Sequence, residues 1–377
     1  MLWVLYIRNH MSLLHQVALT FIKGIGPSSA RAMLAYTGDA ETLFKTSPAK
    51  LKNIPGINDK RVEFFLADLE SPLMRAEQEL EFMERHNVEA LFYTDSRYPK
   101  RLKTCEDAPL LLYSKGSGDL NMPKVISIVG TRNATDYGKR LCHDLIEELQ
   151  QYNVLIVSGL AYGIDTAAHK ESLKFNIPTV GVLGHGFDSM YPAQNRTLAN
   201  KMLADGGVLT EYSSGVVAHP ANFPARNRIV AGMADATIVV EASIKGGALI
   251  TAEIANSYNR DVFAFPGRIN DEFSEGCNFL IRNNKAALLS CMADLAYIMG
   301  WEKKDDAKPV EQLMLPIDLS GAEQLIFEAI RQNKAPLAID DLSLRINMPT
   351  SQLAMNLLNM EMQGFIRSLP GKTYMVN

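Results

Sequence analysis

From Lys124 to Trp301 the chain alternates between short apolar, β-branched runs and segments of helical period. The runs are VISIVG, VLIVSG, PTVGVLG, GGVLTEY, ATIVVEA and DVFAFPG; between them lie helical stretches such as KRLCHDLIEELQ, DTAAHKESLKF, NRTLANKMLA and LITAEIANSYN. A strand exposed on one face alternates apolar with polar residues, whereas these runs are apolar nearly throughout and need cover on both faces. Helical crossovers supply that cover. The pattern predicts an α/β domain with a doubly wound, mostly parallel Rossmann-like sheet, bounded at residues 81–301. EALFYTDSRYPKRLKTCEDAPLLLYSKG, just ahead, is expected to add a strand or to pack on the sheet edge.

Residues 1–80 read as a separate helical domain with an internal repeat, FIKGIGPSSARAML and NIPGINDKRVEFFL. Each copy holds an apolar residue, a glycine turn, a polar cap (Ser28 or Asn58) and a helix bearing Arg or Lys. That order resembles a helix-hairpin-helix (SAM-like) pair, whose turn amides can meet a phosphate at a helix N-terminus. The other reading is a compact helical domain in which the glycines only make turns. Met11 reads as the more natural start, with the first ten residues a tail. WEKKDDAKPVEQ is charged and carries proline, and residues 302–314 are expected to be a linker. Residues 315–377 follow the order of a winged helix-turn-helix, with a candidate recognition helix over Thr350 to Gln363 and two short strands around Pro370-Gly371.

Composition excludes several classes. No apolar run approaches the roughly 18 residues of a membrane span, and MLWVLYIRNH is too short and too soon charged for a secretory leader. Cys105, Cys142, Cys277 and Cys291 are far apart in sequence and read as free thiols of a reducing, cytoplasmic setting. The histidines show no ligand spacing, so neither a metal nor a cofactor is expected, and chelator or reductant should leave binding unchanged. A net charge of −4 argues against a generally sticky nucleic-acid binder, but affinity follows the local field.

In such a domain ligands gather where strands end and helices begin. The first junction, GTRNATDYG, lacks GxGxxG, and the second strand ends in Ser158-Gly159 without a ribose-holding acid, which disfavours a nicotinamide cofactor. No GxxxxGK[ST] or GxSxG is present, which removes phosphate-loop hydrolysis and the serine hydrolases. What the junctions do offer is Arg132, Arg196, Arg226, Arg228 and Lys245 beside Gly130, Gly159, Gly163, Gly184, Gly186, Gly246 and Gly247. Guanidinium forks match phosphate oxygens, and glycine lets backbone amides approach them. Phe187, Tyr191 and Phe223 interleave, as base stacking requires. Against this stand plainer readings: Arg226 and Arg228 pair with Glu211 or Asp235, Arg132 with Asp136, Lys245 is a solvated turn residue, and the aromatics fill core.

GTRNATDYG, VSGLAYGIDTAAH, YPAQNR, LTEYSSG, FPARNRIVAGMADATIVVEA, KGGALITAEIA and VFAFPGRINDEFSEGCNFLI resemble, in order and spacing, the DprA/Smf family of DNA-processing proteins. The resemblance covers nearly the whole chain. It implies a dimeric, non-catalytic mediator of natural transformation that binds and protects single-stranded DNA and loads the RecA recombinase. By motif it makes Arg132, Arg196 and Lys245 binding residues, with Gly246 where the family often has serine. Two other functions stay open. One is a phosphoribohydrolase-like nucleotide-processing enzyme using Glu253, although the PGGxGTxxE form is missing. The other is a duplex-DNA regulator acting through the winged helix. The sequence of Thr350 to Gln363 holds no Lys or Arg, so that domain is expected to serve protein contacts or regulation.

Overall fold

The computed structural model describes residues 2–302, 319, 321–333, 337–369 and 373–376. The chain divides into two compact units, Met1–Asp306 and Ala307–Asn377. Apart from its first residue, the expected linker lies outside the described residues, as do Pro370, Gly371 and Lys372.

The first unit opens with helices α1 (Leu2–Phe21), α2 (Pro27–Thr37), α3 (Ala40–Lys45), α4 (Pro48–Leu51), α5 (Asp59–Ala67) and α6 (Glu70–His86). α1 thus takes in the residues read as a tail. Asn58 caps α5 as expected, accepting from the Arg61 amide at 3.0 Å. Ser28 does not cap α2: Pro27, with its fixed φ and no N–H, occupies the first turn and moves the cap to Gly26. Gly24 has φ +80°, and a Cβ there would meet the Phe64 ring at 2.7 Å, so the first turn packs against the helix of the second copy.

Next come β1 (Glu89–Phe92), α7 (Lys100–Lys103) and β2 (Leu111–Lys115). The alternating region follows as β3 (Lys124–Val129), α8 (Asp136–Leu149), β4 (Val154–Ser158), α9 (Ile164–Lys174), β5 (Thr179–Val182), α10 (Arg196–Met202) and β6 (Gly207–Thr210). It continues with α11 (Asn222–Gly232), β7 (Ala236–Val239), α12 (Gly247–Ser257), β8 (Asp261–Ala264), α13 (Glu272–Arg282), β9 (Ala287–Leu288) and α14 (Met292–Met299). Every apolar run read from the sequence forms a strand. The 9-stranded sheet has the order β1-β2-β6-β5-β4-β3-β7-β8-β9. β3 to β9 pair in parallel, while β2 pairs antiparallel with β6 and with β1.

Period-two alternation divides the sheet between two cores. Val125, Val129, Leu155 and Val157 face α11 and α12. Ile126, Ile128, Val154 and Ile156 face α8 and α9. Between β3 and β7 the partners Ser127 and Thr237 meet across the seam, with their buried hydroxyls 2.7 Å apart. The helical segment is not a body apart. Its core continues into Phe92, Leu110, Leu111 and Tyr113 of the sheet edge. Arg31 donates to the carbonyls of Glu106 and Ala108. Buried Glu79 accepts from Arg75 at 2.8 Å and from the Ser214 amide at 2.9 Å.

The second unit holds α15 (Gly321–Arg331), β10 (Leu337–Ala338), α16 (Ile339–Ile346), α17 (Thr350–Met362), β11 (Ile366–Leu369) and β12 (Thr373–Val376), with strand order β10-β12-β11. This is a winged helix. Leu353, Leu357 and Met360 of α17 join its core, whereas Met355, Leu358 and Met362 are exposed.

Candidate nucleic-acid interface

The chain leaves β3 through β4, β5 and β6, then returns across β3 to place β7, β8 and β9 on its other side. The loops that follow β3 and β7 therefore diverge at a topological switch point, where open α/β sheets form their ligand crevice. A cleft of about 610 Å³ opens there. Its walls include Gly130, Thr131 and Arg132 after β3, Gly159 and Ala161 after β4, Tyr191, Phe223, and Ser243, Gly246 and Gly247 after β7.

Arg132 is exposed, and among the described residues it has no carboxylate partner; Asp136 pairs instead with Lys139 at 3.1 Å. The Arg132 guanidinium lies over the Phe223 ring at 5.5 Å from the centroid. Phe223 in turn meets Tyr191 at 5.5 Å with the planes tilted by 39°. The Tyr191 loop is held by buried His185, which donates from Nδ1 to Gly186 O at 2.8 Å and accepts at Nε2 from the Tyr191 amide at 3.1 Å. Sequence reading missed His185, whose only signal is its place between two glycines in GHG. Phe187 is not on this platform; it packs against α10 and the helical core.

After β7, Lys245 is exposed and its neighbours line the cleft. Gly246 does not offer its amide to a ligand, because Ser243 O takes it at 2.9 Å. The amides of Gly247 and Ala248, in the first turn of α12, have no acceptor among the described residues.

The remaining cations do not complete a ring. Arg226 is only 4 % exposed and forms the cleft floor. Its Nη1 donates to Gly159 O at 2.5 Å and to Val182 O, bracing the ends of β4 and β5. Burial draws its pKa down to about 10, opposed by the neighbouring Asp165, while burial pushes the Asp165 carboxyl up against the pull of Arg226. Arg228 points elsewhere, pairs with Glu211 and approaches Asp107 at 4.0 Å. Arg228 has the Glu211 partner that the plainer reading gives it; Arg226 meets two carbonyls, not Glu211 or Asp235. Arg196 is exposed, but it lines a separate hollow with Lys115, Phe187 and Asp188.

Several glycines serve loop packing. A Cβ on Gly159 would meet Arg226 at 2.6 Å and Asp165 at 2.7 Å. Gly163 has φ +75° and lies against the Arg132 backbone, where a Cβ would meet its carbonyl oxygen at 2.6 Å. Among the acids, Glu241 accepts from the Thr135 amide at 3.0 Å and from its hydroxyl at 2.5 Å, and Glu253 pairs with Lys285 at 2.8 Å outside the cleft. Glu272, in the first turn of α13, lines the cleft.

Three parts of the chain match known families: residues 89–300 the DNA recombination-mediator protein A family, residues 311–372 the DprA winged helix domain, and residues 17–63 a SAM-like helix-hairpin-helix tandem. Protein Smf of Synechocystis sp. is 33% identical over 95% of this chain and 97% of its own length. DNA processing protein DprA of Streptococcus pneumoniae is 43% identical over 52% of this chain and 69% of its own. The X-ray structure of the S. pneumoniae protein superimposes with a TM-score of 0.65 at 33% identity, covering 77% of this chain and 98% of that one. DNA processing protein A from Helicobacter pylori, whose structure addresses a single-stranded DNA binding mode, gives a TM-score of 0.51 at 29% identity, covering 56% and 95%. With the sheet, the helix-hairpin-helix segment and the winged helix all accounted for, the chain belongs to the DNA recombination-mediator protein A, or DprA/Smf, family.

Proposed function

We propose that this chain binds single-stranded DNA in the β3–β7 cleft and passes the strand to a RecA recombinase, protecting incoming strands during natural transformation. The observation that carries the reading is Arg132, which is exposed over the Phe223–Tyr191 pair with no carboxylate partner among the described residues, and which lines the same cleft as the first turn of α12. Phosphates meet Arg132, Lys245 and the Gly247 and Ala248 amides, while bases stack on the aromatics. The single-stranded DNA binding mode described for the H. pylori relative supports single-stranded DNA as the ligand. In this reading the chain acts in the cytoplasm as a homodimer; among the described residues no helix is long and apolar enough to cross a membrane.

The protein acts without catalysis in this reading. Glu253 is bound to Lys285 away from the cleft, Glu241 is occupied by Thr135, and buried Asp165 accepts from the Ala161 amide at 3.3 Å. Titration with labelled oligo-dT and with duplex of equal length at one salt concentration tests the main claim. Single strands bind more tightly; equal affinity overturns it. RecA assembles faster on oligo-dT already carrying this chain, and no acceleration removes the loading step. Incubation with nucleoside monophosphates releases no base; release would make it a nucleotide-processing enzyme.

A further inference from the structure

Arg132 lines a second depression as well as the cleft. On its other side an open groove of about 1320 Å³ runs between α9 and α10 and past the start of α8. Lys139, Lys170, Lys174 and Lys201 line it, and Tyr162 stands at the end nearest Arg132. Helical spacing sets the lysines on one face: Lys170 and Lys174 are four residues apart on α9. At 1.5 Å per residue they lie roughly 10 and 16 Å along that helix from Gly163.

The groove is basic in a chain whose net charge is −4. Its one lining acid, Glu171, is shared by His143 at 2.7 Å and Lys174 at 3.4 Å, and Lys139 has Asp136 at 3.1 Å. Lys170 and Lys201 are exposed and have no carboxylate partner among the described residues. The Tyr162 ring is 40% exposed, and its hydroxyl donates to Gln194 Oε1 at 2.5 Å, which fixes the ring edge and leaves a face available. Exposed lysines, two of them without a carboxylate partner among the described residues, an available aromatic and direct continuity with Arg132 are what a single strand leaving the cleft would need.

We propose that this groove carries the single strand onward from the cleft, with Tyr162 at the junction and Lys170, Lys174 and Lys201 following the backbone. The proposal rests on the cleft being the DNA site, so its test compares two strand lengths. The full chain and the variant Lys170→Ala, Lys174→Ala, Lys201→Ala are titrated with oligo-dT of about 6 and about 16 nucleotides, within the range of known single-strand sites.

The variant binds the longer strand on the order of tenfold more weakly, with a salt slope reduced by roughly 2, since each single-strand phosphate contact contributes roughly 0.7. It binds the shorter strand as the parent does. Unchanged affinity for the longer strand overturns the groove alone. An equal loss at both lengths means a long-range field, not a track, and also overturns it. Loss confined to duplex DNA assigns the groove to a duplex instead. Failure of Arg132→Ala to weaken either length removes the cleft reading beneath it. Because the three lysines are exposed, the variant melts with the parent; a Lys→Gln set that keeps the side-chain stems replaces it should it unfold.

Discussion

The β3–β7 cleft and helix α17 are two of the places where the order of motifs suggests a meeting with DNA, and they are built in opposite ways. Around the cleft, an arginine and a lysine stand free in solvent beside a pair of rings and an open helix start. On α17 the sequence TSQLAMNLLNMEM offers no cation at all, and its exposed face presents Met355, Leu358 and Met362. A helix that reads a groove needs cations for the phosphates on either side. The winged-helix shape is present, but the charge that makes such a shape a DNA reader is absent from its recognition helix. Accessible, uncommitted charge separates the two regions where fold alone does not.

The contrast can be tested at several strengths. The largest effect belongs to the cleft floor. Arg226→Ala takes the donor from the Gly159 and Val182 carbonyls and the neighbouring positive charge from buried Asp165, and lowers the unfolding free energy by about 3–5 kcal/mol in denaturant titration. If the change instead weakens DNA binding with stability intact, the floor is part of the contact surface and the division between free and committed cations fails. Next, Arg132→Ala with Lys245→Ala removes two charge-assisted contacts of about 1.5–3 kcal/mol each, a loss on the order of a hundredfold or more in oligo-dT affinity. The salt slope falls by roughly 1.4 and the melting temperature stays put. An unchanged slope would sink the phosphate contacts.

Phe223→Ala removes a stacking face and costs about 1–3 kcal/mol of binding, on single strands only. Glu272→Gln works in the other direction. Removing a carboxylate from the cleft wall strengthens binding by about 0.2–1 kcal/mol, and a weaker complex would show that the acid helps hold the strand. The smallest effect is expected from the other region. A chain ending at Asp306, the boundary of the first compact unit, keeps oligo-dT affinity to within about 0.5 kcal/mol. A large loss on that truncation would return α17 to the list of DNA-binding elements.

The central sheet was legible because strands buried on both faces are spelled almost entirely in apolar letters, as in VISIVG and VLIVSG. The edges were less so. The segment holding β1 and β2 was expected to add a strand or to pack on the sheet edge, and it adds two strands; β9 has only two residues, too few to show any period. The positions of Arg132 and Lys245 were also readable, since they follow β3 and β7, whereas Arg226 and Arg228 lie within α11. Which of these cations are free was not readable. Arg228 meets Glu211 from the end of β6, and Arg226 reaches carbonyls after β4 and within β5, partners that sequence distance hides. The glycines misled in the same way: Gly159 and Gly163 suggest a phosphate cradle, but their small size is used by one loop lying against another. The track of Lys170, Lys174 and Lys201 was missed because lysines on an amphipathic helix look like an ordinary solvated face until α10 is set beside it.

The hydroxyl pair of Ser127 and Thr237 sits in the middle of the seam that ends in the cleft. It works as an alignment pin. Sliding β7 by one residue along β3 would turn Ile238 toward the wrong core and leave two buried hydroxyls facing hydrocarbon. Sliding by two would keep the faces but still part the hydroxyls. Only the native alignment sets the Thr131 amide on Glu241 O at 2.7 Å. The spacing of the loops that carry the arginine and the lysine is therefore gauged four residues before the Thr131–Glu241 bond, by atoms that never meet the solvent.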